Sequence, residues 1–362
     1  MNSLYHFTKE ECRTAHPETI LCRMLSTTAT LPATPCIESH GLGLQIGKGQ
    51  CGTIHTFEEC LVRKSPNSAN KINELRRDAQ LHAIVKTAFG SAPNGLARSV
   101  SVPERYRFRC PPANGDELGD WIRLPDSHDI DHLSVHNYDL MSERIFPLHD
   151  PIPECILASL IPKSTHLKRS TYLSKPNNNN NCLVRIYLGR RGVDRSKTTT
   201  ENVSLRNFPL HVDEMERLNL PISMYTTAIA EALALMHWKA GIDANDVEFV
   251  LGSSRRTGPM FPVHGVETGL SVSIWLLDFN QCQKFEHDQA GLKRLVNGFW
   301  WNDPYYPRPD SGHKTDKALW TTFLSKYLDA SALLTDSDLP KRFFEAVEEE
   351  GYRRRVKPSL FG

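Results

Sequence analysis

"GIDANDVEFVLG", residues 241–252, places three carboxylates, Asp243, Asp246 and Glu248, within six positions. A strongly periodic segment precedes them. From Pro221 to Trp238, Ile222, Tyr225, Ile229, Leu233 and Met236 recur at three- and four-residue steps, which predicts a helix. The apolar run Phe249 to Leu251 follows and reads as a strand. Carboxylates so crowded raise one another's pKa unless a cation is shared among them. Helix, acidic loop and strand in that order read as a functional site on a rigid support.

Working outward, "GLGLQIGKGQCGTIHTF" (41–57) and "ECLVRKS" (59–65) read as a glycine-rich hairpin followed by a strand. "KINELRRDAQLHAIVKTAF" (71–89) is a helix with Leu75, Leu81, Val85 and Phe89 on or near one face. Residues 98–180 alternate strand-like pieces, "RYRFRC" and "DLMSERIFPL", with proline-rich turns and the low-complexity "KPNNNNN". "CLVRIYLGRR" (182–191) and "VSIWLLDFN" (272–280) are strands, and the remainder is expected to be helical. Residues 1–40, which show no sustained period and contain "TTATLPATP", are expected to form a loosely ordered arm.

A chain of 362 residues is long enough for one large domain or two lobes sharing a cleft. With 43 Lys and Arg against 42 Asp and Glu there is no global bias toward nucleic acid or membrane, so any such partner must use a local patch. No apolar run reaches 18 residues, and the opening twenty residues carry charges where a signal peptide needs an apolar stretch. The expectation is a cytoplasmic protein without membrane contact. The nine cysteines are scattered, odd in number and without a C-x-x-C pair, which predicts free thiols in a reducing compartment and no metal site.

The order of these pieces resembles the protein-kinase-like fold, shared with aminoglycoside phosphotransferases. "GKGQCGTI" supplies Gly47, Gly49 and Gly52 for a phosphate-covering glycine loop, and Lys64 in "LVRK" sits where the kinase strand lysine sits. Asp78, fourteen residues on, lies on the partly apolar face of its helix. Either it forms an ion pair with Lys64, because a buried lone carboxylate is costly, or the two are solvated surface charges. Asp243 and Glu248 have the spacing of the kinase catalytic Asp and metal-binding Asn, and "LLDFNQ" brings Asp278 to the position of the metal-binding Asp of D-F-G. The resemblance implies an α+β, two-lobed architecture. Residues 41–185 are expected to form a small β-rich lobe with irregular insertions, and 186–362 a mainly helical lobe carrying the acidic loop.

The departures from that pattern bear on chemistry. Glu248 replaces the metal-binding Asn, Ile242 precedes Asp243 where protein kinases carry Arg, D-F-G has become D-F-N, and Asp246 is an added acid. Four carboxylates (Asp243, Asp246, Glu248, Asp278) repel nucleotide phosphates unless divalent ions intervene. They suit a guanidinium, which gains bidentate, charge-assisted hydrogen bonds, and their crowding makes one of them a better base.

A narrower resemblance runs from about residue 40 to the C-terminus. "CLVRIYLGRR", "NFPLHVDEMERL", "AEALALMHWKAGIDANDVEFVLG", "WLLDFNQC" and "WWNDPYYPRP" look like a fungal family catalogued as a domain of unknown function and often labelled zinc-finger protein. Some of its members are arginine-containing cyclodipeptide synthases, which condense arginyl-tRNA and a second aminoacyl-tRNA into a diketopiperazine. The resemblance implies that activity with no cofactor, because the esters are already activated, and aminoacyl-tRNA as partner, without DNA. Glu248 or Asp246 would be the base, with Asp243 and Asp278 binding the guanidinium or ordering the loop.

Transfer RNA needs cationic surface. Four runs offer it: Lys163, Lys168 and Arg169; Arg190, Arg191, Arg195 and Lys197; Arg255 and Arg256; and Arg353 to Arg355 with Lys357. The second run follows the linker strand and is the first choice, with Arg190 and Arg191 as substrate-binding residues. Any such run also reads as solvated surface. His237 and Trp238 read either as packing for the helix end or as catalytic groups, and Trp300, Trp301, Tyr305 and Tyr306 as core or as stacking surface. Two further functions fit the same residues. One is a small-molecule or protein kinase using Mg²⁺ and ATP; the other is a non-catalytic pseudokinase-type binding protein.

Overall fold

Two β-sheets face one another across a cleft in the structure, a computed structural model that describes residues 5–6, 8–26, 29–31, 43–58, 60–110, 138–162, 181–199, 202–255, 270–309 and 311–356. The strands in chain order are β1 (Tyr5–His6), β2 (Ala29–Leu31), β3 (Gln45–Lys48), β4 (Gly52–Glu58), β5 (Leu61–Pro66), β6 (Val100–Ser101), β7 (Arg105–Arg109), β8 (Asp139–Glu143), β9 (Val184–Tyr187), β10 (Phe208–His211), β11 (Glu248–Arg255) and β12 (Leu270–Leu277). The first sheet is antiparallel in the order β3-β4-β5-β8-β7. The second runs β1-β2-β12-β11-β9-β10, with β6 beside β12. The architecture is α+β, with the glycine hairpin in the first sheet and a mainly helical body behind the second.

Helix α3 (Ile72–Gly90) explains how the lobes hold together. Leu75 and Ala79 join Cys51, Phe108 and Leu140 in the small core under the first sheet, whereas Leu81 and Val85 belong to the main core. One amphipathic helix thus has a foot in each. Behind the second sheet, the helix Ile222–Ala234 runs on into a π-helical turn, Leu235–Lys239, and buries Tyr225, Ile229, Leu233 and Met236 as its periodicity predicts.

Two expectations change. The N-terminal segment carries α1 (Lys9–Thr14), whose Thr8 and Glu11 form a capping box, and α2 (Pro17–Leu25). Helices of 6 and 9 residues are too short to stand alone in water. Packing holds them: Ile20, Leu21, Met24 and Leu25 are buried in the main core, each contributing roughly 1.5–3 kcal/mol. A boundary at residue 185 also fails to separate the lobes, because β1, β2 and β6 join the second sheet. Among the described residues no helix is long and apolar enough to cross a membrane.

Candidate active site

The first-sheet wall of the cleft is built on close backbone pairing. A Cβ at Gly52 would lie 2.6 Å from the Ser65 carbonyl oxygen, so only glycine fits there. Gly49 and Gly47 line the cleft beside it, and Asn67 donates to the Gly49 and Gln50 carbonyls at 2.8 and 3.1 Å, holding the hairpin tip. Lys64, on β5, puts its Nζ 2.7 Å from Asp78 Oδ2 and 2.8 Å from Asp278 Oδ1. The other Asp78 oxygen accepts the Phe279 N–H at 3.2 Å. Burial opposes the charge on Lys64, but Asp278 and Asp78 overcome it and hold the ammonium well above its ordinary pKa. The structure thus forms the Lys64–Asp78 pair and draws in Asp278, whose backbone turns left-handed at φ +69° to aim its carboxylate back across the cleft.

The acidic loop divides its carboxylates. Asp243 is 4% exposed and turned into the protein, where its Oδ1 accepts backbone N–H groups of Gln283 and Asn245 at 2.9 and 3.2 Å. It does not line the cleft. The helix Gln289–Trp301 passes so close that a Cβ on Gly298 would sit 2.8 Å from the Asp243 carbonyl oxygen. Asp246, left-handed at φ +64°, accepts from Gln281 Nε2 at 2.5 Å. Burial, then the Asp278 charge, push the Asp246 pKa up.

Glu248 opens β11 and lines the cleft, bound to the guanidinium of Arg185 on β9. Burial raises its pKa, against the pull of Arg185. Arg185 is a site residue that the sequence reading passed over. Its signal was a lone charge between Val184 and Ile186, which are both fully buried. Placing it beside Glu248 requires the β9–β11 pairing, Val250 opposite Arg185.

Glu248, Asp278, Asp78, Lys64 and Arg185 close the inner end of a cavity of about 210 Å³. That exceeds the ~150 Å³ that admits a benzene ring. Its walls are apolar, with Ile54, Val62 and Leu140 from the first sheet, and Leu183 and Leu277 from around the second.

The basic run is not at the cleft. Arg190 pairs with Asp303 at 3.2 Å, Arg191 with Glu216 and Asp316 at 2.5 Å each, and Arg195 with Glu214 at 2.5 Å. These arginines hold the second lobe together and have spent their charge internally. Arg353 and Arg354 likewise pair with Glu350. Lys163, Lys168, Arg169, Arg256 and Lys357 lie outside the described residues. His237 is buried, 2.7 Å from the Tyr327 hydroxyl, and its pKa falls to about 3 because burial disfavours the imidazolium. Trp300 and Tyr306 are core, Tyr306 stacking on Phe299 at 4.9 Å.

A kinase reading asks for a divalent ion held at positions 248 and 278. Each of those carboxylates already carries a cation, Arg185 and Lys64 respectively. Among the described residues no three His, Cys, Asp or Glu side chains are grouped to hold a metal ion. As arranged, this donor set does not fit one.

Comparison with known proteins adds little to this geometry. A family model described as DUF3669, zinc finger protein, matches residues 274–338, from within β12 to the start of the last helix. No curated protein matches the chain. Among solved structures, the GDP complex of wild-type aminoglycoside 2′-phosphotransferase-IIIa is similar at 10% identity over 88% of this chain and 95% of that one. Its TM-score is 0.23, too low for the likeness to carry an argument.

Proposed function

We propose that this protein is a group transferase acting in the interlobe cleft, and specifically a tRNA-dependent synthase of arginine-containing cyclodipeptides. The observation that carries the reading is the pair Glu248 and Asp278 on the lining of the cleft, with Asp246 behind them on the acidic loop and close enough to Asp278 to feel its charge. Asp246, whose hydrogen bond is to the neutral amide of Gln281, is assigned as the base; burial and the Asp278 charge raise its pKa against the pull of Arg185. It takes a proton from the α-amine of one aminoacyl ester, which attacks the carbonyl of the other. The ester C–O bond breaks, an amide forms and the departing ribose oxygen is protonated. A second attack, by the remaining amine on the remaining ester, closes the ring and frees the second tRNA. Asp278 and Glu248 receive the guanidinium of the arginyl group. Asp243, facing inward, is left with a structural role.

The test is mass spectrometry of a microbial host expressing the chain beside one expressing Asp246→Asn. A new arginine-containing diketopiperazine, absent with the variant, is the expected result; no new product overturns the reading.

A second reading, small-molecule phosphotransfer, is favoured by one observation: the glycine hairpin covers Lys64 where it bridges Asp78 and Asp278, beside apolar walls suited to a purine. It predicts a rise in melting temperature with ATP that grows when Mg²⁺ is added. Without that rise, this reading fails.

A further inference from the structure

The cleft is electrically lopsided. Its inner end gathers Asp78, Glu248 and Asp278, its mouth presents Lys48 and Arg206, and Glu143 is a further carboxylate on the lining. Lys48 closes β3 at the glycine hairpin of the first sheet, and its side chain is exposed. Arg206 stands two residues before β10 of the second sheet, also exposed, and donates from Nη1 to the Ile46 carbonyl at 3.1 Å. It therefore reaches across the mouth to within two residues of Lys48. Among the described residues, neither cation is paired with a carboxylate.

That distinguishes them from Arg190, Arg191 and Arg195, whose guanidiniums are committed to acids. A guanidinium facing only a carbonyl keeps its charge for an incoming anion, and its planar fork suits a phosphate. The support is firm on both sides. Asn67 pins the hairpin tip and also accepts from Thr53 at 2.8 Å, while Asn207, left-handed at φ +56°, lines the mouth beside Arg206.

We propose that Lys48 and Arg206 form a phosphodiester-binding mouth that grips the single-stranded 3′ end of an RNA while the group esterified to it reaches the carboxylates within. The proposal rests on the aminoacyl-transfer reading and deepens it. A substrate with an anionic carrier and a cationic side chain enters a cleft of this polarity in one orientation only, phosphates at the mouth and guanidinium at the inner end. Arg190, Arg191 and Arg195, already neutralised, are not needed for that orientation.

The test is fluorescence anisotropy of the full chain with a labelled RNA hairpin ending in a single-stranded 3′-CCA, titrated between about 50 and about 200 mM salt. Wild type, Lys48→Gln, Arg206→Gln and the double variant are compared, with diketopiperazine production measured for each. The expected result is a plot of log affinity against log salt that flattens by about 0.7 per cation removed, and by about 1.4 in the double variant. Affinity should also fall when the overhang is trimmed. An unchanged slope in the double variant, or equal affinity for the blunt hairpin, overturns the mouth while leaving any product formation to speak for the synthase reading. Flattened slopes without product in wild type overturn the synthase and keep the mouth. Displacement of the RNA by free ATP, with ATP affinity lost in the same variants, would reassign the mouth to a nucleotide and overturn the RNA proposal. Both side chains are exposed, so unchanged melting temperatures check that folding is intact.

Discussion

The two walls of the cleft differ in what they do with charge. On the first-sheet wall one lysine, Lys64, serves two carboxylates, Asp78 of α3 and Asp278 just after β12. On the wall formed by the acidic loop each acid is handled separately: Asp243 is turned inward onto backbone N–H groups, Glu248 carries an arginine, and Asp246 feels the charge of Asp278. The difference teaches that acids brought together in one cleft can be held in two ways, by sharing one cation or by taking separate partners.

The largest test of that contrast is Lys64→Met. It strands Asp78, only 3% exposed, without a counter-charge and should cost about 3–5 kcal/mol in urea unfolding. Adding Asp78→Leu should recover part of the loss, and a strictly additive double variant would show that the pair is not a unit.

Next comes Asp246→Asn, expected to slow product formation by about 100-fold or more with stability changed by well under about 1 kcal/mol. Asp243→Asn should do the opposite, losing about 1–2 kcal/mol from weakened backbone contacts while product still forms. If the two variants exchange phenotypes, the division of the loop is wrong.

The smallest effects follow pH. Burial and the Asp278 charge raise the native pKa values of Asp246 and Glu248, so their neutral forms favour the fold. Their contribution is complete below the unfolded carboxylate pKa and is lost as pH rises through the raised values. Asp246→Asn should therefore be slightly more stable than wild type at neutral pH, with the gap closing on acidification. Glu214 supplies the opposite sign. Burial alone would raise its pKa, but hydrogen bonds from His211 and Arg195 bring it from 4.5 to about 2. Glu214→Gln should thus be costly at neutral pH, and that cost should vanish as pH falls from 4.5 toward about 2. Stability curves against pH for both variants decide it.

What could be read in advance was local. The glycine hairpin, the lysine strand, the helix ending at Trp238 and the chain order of the acids announce themselves within windows of a few to twenty residues, and the two-lobed fold follows from their order. The second sheet could not be read that way, because β1, β2 and β6 reach β12 from far along the chain. For the same reason, "GRRGVDRSK" passed for a nucleic-acid patch. Its acid partners, Glu214, Glu216, Asp303 and Asp316, lie up to 125 residues away. Which way Asp243 points was not legible, because spacing along a loop does not say which way a left-handed turn, here at Ala244 with φ +53°, sends the preceding side chain. The arm at the N-terminus did carry a signal, Thr8 with Glu11 and then Pro17, that marks helix starts even where no long periodicity follows.

The contacts from Lys64 to Asp278 and from the Phe279 N–H to Asp78 tie the end of β12 to both β5 and α3. Neither wall can swing away without baring buried polar atoms to one another's loss. Heated in a calorimeter, the two halves should therefore melt as one endotherm, with the calorimetric enthalpy equal to the van't Hoff value, and Asp78→Asn should be the change that splits the peak in two.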